Sequence, residues 1–222
     1  RLGKTPILVS DAPGFLVNRV LMPYLGEAVG LVERGYAPRS VDRALRGFGM
    51  PVGPLELLDE IGLDVARKVA HVLHDAFGGR IAPVTLIDQL VASGALGKKS
   101  GLGFYSYERG KRDSVNPEFE SVASAPGAAQ VQEIVNRLID AMVNEAALAV
   151  EERVVTRPED VDLAMVLGTG FPPFRGGLLR HADAAGIGAI VERLTRRQQE
   201  GAPAGPCGRL QQMALSGQRF YK

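Results

Sequence analysis

NRVLMPYLGEAVGLVERG occupies Asn18–Gly35, and NRLIDAMVNEAALAVEERV occupies Asn136–Val154. Laid over one another at a constant offset, Asn18-Arg19 falls on Asn136-Arg137, Glu27 on Glu145 and Glu33 on Glu151. In the first segment Val17, Leu21, Leu25, Ala28 and Leu31 recur at three- and four-residue steps, the spacing of one helix face. Further along, Val41-Asp42 matches Val161-Asp162, and GFGMPVGPLELLDEIG (Gly47–Gly62) resembles GTGFPPFRGGLLRHADAAG (Gly168–Gly186), with Asp59 on Asp183 and Gly62 on Gly186. Any two amphipathic helices share some positions. A shared order of long helix, short helix, glycine-proline loop and short helix ending in Asp goes beyond that and indicates a duplication. A small helical unit needs a partner to bury its apolar stripe, so the two copies are expected to pack face to face.

The rest of the chain reads as helices and their connectors. Thr5–Ser10 is a short apolar, extended run, and Asp11–Phe15 (DAPGF) is a turn. A helix covers Leu16 to about Glu33, with Pro23 bending it or marking its first turns and Gly35 as the stop. Pro38 opens a short helix ending near Gly47. Others span Leu55 to about Ile61, Val65 to Phe77 with Asp64 as cap, and Pro83 to near Gly94. Gly94–Gly110 is a loop feeding a short extended piece. Ser121–Gln130 reads as a linker. The second set holds a long helix from Val131 to Val150 and a helix opened by a Thr156/Glu159 capping box. Gly168–Gly177 is irregular. Helices follow at Leu178–Ala182, Ile187–Arg196 and Gly208–Leu215. The boundaries expected are 1–112 for the first copy, 113–128 for the linker and 129–222 for the second copy.

Composition narrows the class. With 45% hydrophobic and 23% charged residues, the chain has material for a core and is no disordered segment. Its net charge of +1 does not call for nucleic acid. The one cysteine, Cys207, excludes an intrachain disulfide and a cysteine-type zinc site, which fits a reducing, cytoplasmic setting. No apolar run approaches the roughly 20 residues that span a bilayer. RLGKTPILVS is not a signal peptide and looks like the middle of a longer polypeptide.

The Asp11–Gly35 block, DAPGFLVNRVLMPYLGEAVGLVERG, resembles the start of the C-terminal domain of 3-hydroxyacyl-CoA dehydrogenases, D-x-P-G-F-x-x-N-R-x-x-x-P-Y followed by E-A. GMPVGPLELLDEIGLD (Gly49–Asp64) and KKSGLGFYSY (Lys98–Tyr107) are similar to the next two family blocks. FPPFRGGLLRHAD (Phe171–Asp183) resembles the second of two tandem copies in the alpha subunit of multifunctional fatty-acid oxidation complexes. The resemblance implies an all-α fold: a duplicated 3-hydroxyacyl-CoA dehydrogenase C-terminal helical domain, 6-phosphogluconate dehydrogenase C-terminal-like, with its copies packed as a pseudo-dimer. It implies oxidation of 3-hydroxyacyl-CoA in fatty-acid beta-oxidation, with NAD held by an upstream nucleotide-binding domain. A hydratase domain and a thiolase subunit are the further partners it suggests.

Oxidising a secondary alcohol with NAD needs a dinucleotide pocket and a base. No G-x-G-x-x-G opens a helix here, and Gly168-Thr169-Gly170 leads into Phe-Pro-Pro. No cofactor-binding residue is therefore assigned to this chain. The family's base is a His oriented by a Glu, both upstream. His71 and His74 have a spacing conceivable for a metal, but a surface or half-buried helix position suits them better. His181 is read as packing in the second copy. No metal site is expected.

Asn18 falls on the family's active-site Asn, where an amide can donate one hydrogen bond and accept another without changing charge. A structural cap is the competing reading. Asn136, with no cofactor domain before it, is read as structural. The resemblance places Gly14, Phe15, Pro51, Gly53 and Pro54 around the substrate pocket. Lys98 and Lys99 precede a glycine-rich turn and are candidate contacts for the phosphates of CoA. Two other readings stand beside this one: a non-catalytic helical dimerisation or interaction module, and a related dehydrogenase for a different hydroxyacid.

Overall fold

The structure is a computed structural model and describes residues 5–81, 85–120 and 126–221. Ten α-helices account for most of the described chain: α1 (Val17–Glu33), α2 (Pro38–Phe48), α3 (Pro54–Ile61), α4 (Leu63–Phe77), α5 (Thr85–Ala92), α6 (Ala128–Glu151), α7 (Pro158–Thr169), α8 (Leu178–Ala185), α9 (Ile187–Gln199) and α10 (Gly208–Ser216). Between α5 and α6, β1 (Tyr105–Glu108) and β2 (Lys111–Val115) form an antiparallel hairpin. The fold is all-α, and the order α1–α5 is repeated as α6–α10. None of the described helices is long and apolar enough to cross a membrane.

The described residues of Arg1–Leu21 together with those of Asp140–Lys222 form one compact unit, and those of Met22–Ile139 form the other. Each unit thus takes the opening of one long helix and the body of the other, a division that does not follow the boundaries at 112 and 129. In the 22–139 unit the core is built by Tyr24, Leu45, Leu55, Leu58, Leu63 and Phe104, all fully buried. In the other unit Val20, Met142, Ala146, Val161, Phe171 and Leu178 do the same work.

Several local expectations are corrected. The α7 cap is Arg157, with no side-chain hydrogen bond, because Pro158 takes the first helical position and puts Thr156 one residue too early. Asp64 does not cap α4 but lies in its first turn behind Gly62. Gly168 belongs to α7 instead of the following loop. The hairpin strand β2 was not foreseen, since KRDSV is polar and its residues are exposed except the half-buried Val115, and it crosses the expected boundary at 112. Pro83 and the first half of the expected linker, Ser121–Ala125, lie outside the described residues.

The repeat matches recur as matched structural tasks. In the 22–139 unit, Asp42 on α2 accepts hydrogen bonds from Leu55 N (2.9 Å) and Glu56 N (3.1 Å), capping α3 from outside. In the other unit Asp162 on α7 accepts from Leu179 N (2.6 Å) and Arg180 N (3.2 Å), capping α8. Gly53 and Gly177 face these carboxylates so closely that a Cβ would overlap them. Asp59 receives Phe104 N and Tyr105 N at 2.9 Å each, and Asp183 receives Phe220 N and Tyr221 N at 2.9 Å each. The hydroxyl of Tyr105 closes on Asp42 (2.7 Å) and that of Tyr221 on Asp162 (2.5 Å). Glu33 accepts from Leu86 N at the start of α5 (3.3 Å), and Glu151 from Arg209 N at the start of α10 (3.2 Å). Carboxylates suit these places because helix N-termini leave N–H groups unsatisfied and carry partial positive charge.

Candidate functional site

The approach to α1 has an unusual backbone. Gly14 has φ 72° and Phe15 φ 50°, two successive left-handed residues. Only the first is glycine, so the second is held in a conformation that costs a side-chain-bearing residue about 1 kcal/mol or more. Phe15 N donates to Ala12 O (2.8 Å), which closes the turn. Phe15 is 57% exposed, an apolar ring left in solvent.

Three residues beyond that turn, Asn18 is the second residue of α1 and is exposed. Its amide makes no hydrogen bond to another described residue, so both its donor and its acceptor face outward. Its flanking residues differ. Arg19 is fully buried, its Nε donating to Glu145 Oε1 (2.6 Å) and its Nη2 lying 2.8 Å from Glu152 Oε2. Val17 lies against α7, where a Cβ on Gly168 would meet its methyls at 3.0 and 3.1 Å. In the 22–139 unit, Asn136 is half-buried and accepts from Gln132 Nε2 one turn earlier on its own helix (2.8 Å), and Arg137 pairs with Glu27. The two asparagines of the repeat are therefore not equivalent: one amide is presented, the other engaged.

The other candidates lie in the 22–139 unit. Pro51 is exposed. Gly53 and Pro54 are buried beneath the Asp42 cap, Pro54 as the first residue of α3. Lys98 sits 3.6 Å from Glu60, and Lys99 pairs with Asp64. Both lysines thus already answer carboxylates of their own unit. His71 faces Asp88 (3.3 Å), and His74 Nδ1 lies 2.9 Å from Ile81 O. Among the described residues no cluster of three or more His, Cys, Asp or Glu could hold a metal. Burial pushes the pKa of His181 down to about 4, and its ring packs on Phe171 with centroids 6.1 Å apart.

These blocks place the chain by comparison as well. The model of the 3-hydroxyacyl-CoA dehydrogenase C-terminal domain matches residues 14–107 and again residues 134–220. The chain belongs to this family. It carries the domain twice, which is the duplication read from the repeat. It is 41% identical over 99% of its length to the fatty acid oxidation complex subunit alpha of Shewanella loihica, of which it spans 32%. Its structure is similar to 3-hydroxybutyryl-CoA dehydrogenase from Escherichia coli K12 (TM-score 0.76, 28% identity), covering 97% of this chain and 63% of that one. A lower-identity likeness, to the dehydrogenase part of a multifunctional enzyme from C. elegans, shares the fold (TM-score 0.67, 24% identity, 94% of this chain and 50% of that one).

One pair in the family fold was missed in the sequence. Phe220-Tyr221 closes the second copy as Phe104-Tyr105 closes the first, and the signal was present: SGLGFY (Ser100–Tyr105) against SGQRFY (Ser216–Tyr221).

The aspartates that hold these closures have a measurable signature. Burial raises the Asp42 carboxyl from 3.8 to about 6, against the pull of hydrogen bonds from Leu55, Tyr105 and Glu56. Burial likewise raises Asp59 to about 6, opposed by Phe104, Tyr105 and Tyr107. Each carboxyl holds its proton more tightly folded than unfolded. Their contribution to stability is therefore full below the ordinary carboxylate value and is lost as the pH rises from 3.8 toward about 6. Carbon-detected NMR titration should find both midpoints well above 3.8, and ordinary midpoints at both would contradict the burial argument.

Proposed function

We propose that this chain is the substrate-side and assembly part of an NAD-dependent (3S)-3-hydroxyacyl-CoA dehydrogenase of fatty-acid beta-oxidation. The observation that carries the reading is the outward-facing, uncommitted amide of Asn18, set by a left-handed turn at the head of a family-matched block. The residues described here do not fit NAD: their only sheet is the β1–β2 hairpin, and no strand feeds a glycine-rich helix start. The proposal therefore assigns NAD, and the base, to a nucleotide-binding domain elsewhere in a longer protein.

Held there, NAD would supply the hydride acceptor that oxidation of a hydroxyl to a carbonyl requires. Asn18 would donate its amide N–H to the substrate oxygen as negative charge grows on it and offer its carbonyl to the protonated base. Gly14 and Phe15 would set the approach to that oxygen, the exposed Phe15 ring meeting the acyl chain. The second copy, with Asn136 engaged by Gln132, would serve structure. The likeness to a fatty acid oxidation complex subunit supports a place in a larger assembly; the proposal puts that assembly in the cytoplasm, with a hydratase domain and a thiolase subunit as partners. The two lysines are left out, since Glu60 and Asp64 already take their charge.

The longer protein should reduce NAD with a 3-hydroxyacyl-CoA, followed by NADH absorbance. Calorimetric titration of NAD into this chain alone should show no stoichiometric binding, and low-micromolar binding would overturn the assignment of the cofactor to another domain.

A further inference from the structure

We infer that the second copy is the positioning frame for Asn18, acting through the two residues on either side of it. The inference rests on the function proposed above for Asn18 and adds residues that it leaves to structure alone.

Three sets of long-range contacts at the head of α1 come from the second copy, within one compact unit. Ser10, ahead of the turn, donates through its backbone N to Val154 O (2.9 Å) and through Oγ to Arg153 O (3.1 Å). Val17 rests on Gly168 of α7. Gly168 lies inside a helix, where glycine is a poor choice compared with alanine. The close approach of Val17 accounts for it, because an added methyl would stand 3.0 Å away. Arg19 is clamped by Glu145 of α6 and by Glu152 just past its end, and the Arg19 and Glu145 side chains are only 1% and 5% exposed. A buried guanidinium with its carboxylate has few alternative geometries, which suits a register pin better than a source of net stability. On one helical turn, fixing residues 17 and 19 fixes the direction in which residue 18 leaves the helix. The matching pair, Arg137 with Glu27, lies beside Asn136, whose amide is engaged, and provides an internal control.

The test uses the longer protein that contains this chain. Glu145→Gln keeps the shape of the side chain and removes its charge, and Glu27→Gln does the same at the control pair. Glu145→Gln should lower kcat about tenfold with KM little changed, because small displacements of an orienting group cost rate more than binding. In an Asn18→Ala background the same change should cost nothing further. Glu27→Gln should lower the melting temperature and leave kcat unchanged.

If Glu145→Gln does not fold, Gly168→Ala carries the test, with the same expected loss of kcat and the same silence in the Asn18→Ala background. Where Asn18→Ala itself loses rate, normal kcat in the folded variant, or additive losses with Asn18→Ala, would overturn the proposal. A second readout needs no activity: the side-chain amide resonance of Asn18 should move in Glu145→Gln and Gly168→Ala and stay in place in Glu27→Gln. An unmoved resonance overturns the frame. A moved resonance together with a normal kcat for Asn18→Ala supports the frame and defeats instead the catalytic reading of Asn18.

Discussion

Replacing Asn18 with Ala in the longer protein is expected to lower kcat by about 100-fold or somewhat more while leaving substrate binding nearly unchanged. Removal of one preorganised hydrogen-bond donor at a developing oxyanion typically costs about 2.7–4 kcal/mol, or roughly 100- to 1,000-fold. The lower end is expected because the base would remain in place. The loss falls on kcat because the amide's bond strengthens only as charge develops, so it belongs to the transition state. The helix itself should not suffer: Asn18 is exposed and holds no other described residue, and alanine is the better helix former. Asn136→Ala should do the reverse, removing the Gln132 bond and leaving kcat within about threefold. Steady-state kinetics on the two folded variants decide the matter. Equal rate losses at both positions, or a normal kcat for Asn18→Ala, would defeat the role assigned to Asn18.

Asp42→Ala should be the most damaging single change in the 22–139 unit. It strands Leu55 N, Glu56 N and the Tyr105 hydroxyl. Each buried group left without a partner costs about 1–3 kcal/mol. Against this stands relief of a carboxyl raised from 3.8 to about 6 by burial. At about 1.4 kcal/mol per pKa unit that is about 3 kcal/mol. The lost bonds win, and a net destabilisation of about 2–4 kcal/mol at neutral pH is expected. Urea unfolding of the chain would measure it, and a change below about 0.5 kcal/mol, the size of an ordinary surface substitution, would show that the cap is dispensable. Asp162→Ala should behave alike in the other unit, where Leu179 N, Arg180 N and Tyr221 are stranded.

The repeat was legible because its matched residues are polar groups with fixed tasks. Glu33 and Glu151, Asp42 and Asp162, Asp59 and Asp183 were aligned from the sequence, and each pair caps or closes the same element in its copy. Helix existence was legible for the same reason that α4 buries Ala66, Ala70 and Leu73, a stripe of helical spacing. Caps were less so. Thr156 and Asp64 have the right chemistry for a cap, but proline at 158 and a glycine at 62 moved the helix starts by one or two residues. The capping of α3 and α8 comes from carboxylates remote in sequence, and no local motif announces a long-range cap. At the site, the identity of Asn18 was readable from its block, whereas its exposure and the burial of Arg19 beside it were not. A helical pattern says which residues share a face, not which face another segment will cover.

The exchange of ion pairs, Arg19 with Glu145 and Arg137 with Glu27, has an evolutionary consequence. After a duplication, two copies ordinarily drift apart under separate constraints. Here the arginine of each copy finds its carboxylate in the other. Loss of Glu145 would take from buried Arg19 the more buried of its two carboxylates, in a segment whose own residues had not changed, so a substitution in one copy selects for a compensating one in its sister. A hybrid gene that joined the first copy of one lineage to the second copy of another would bring together halves of both locks that had not changed in step. The two copies are therefore a single unit of inheritance, and their ancestor, with one copy, would have met the same requirement only by pairing with another molecule of itself.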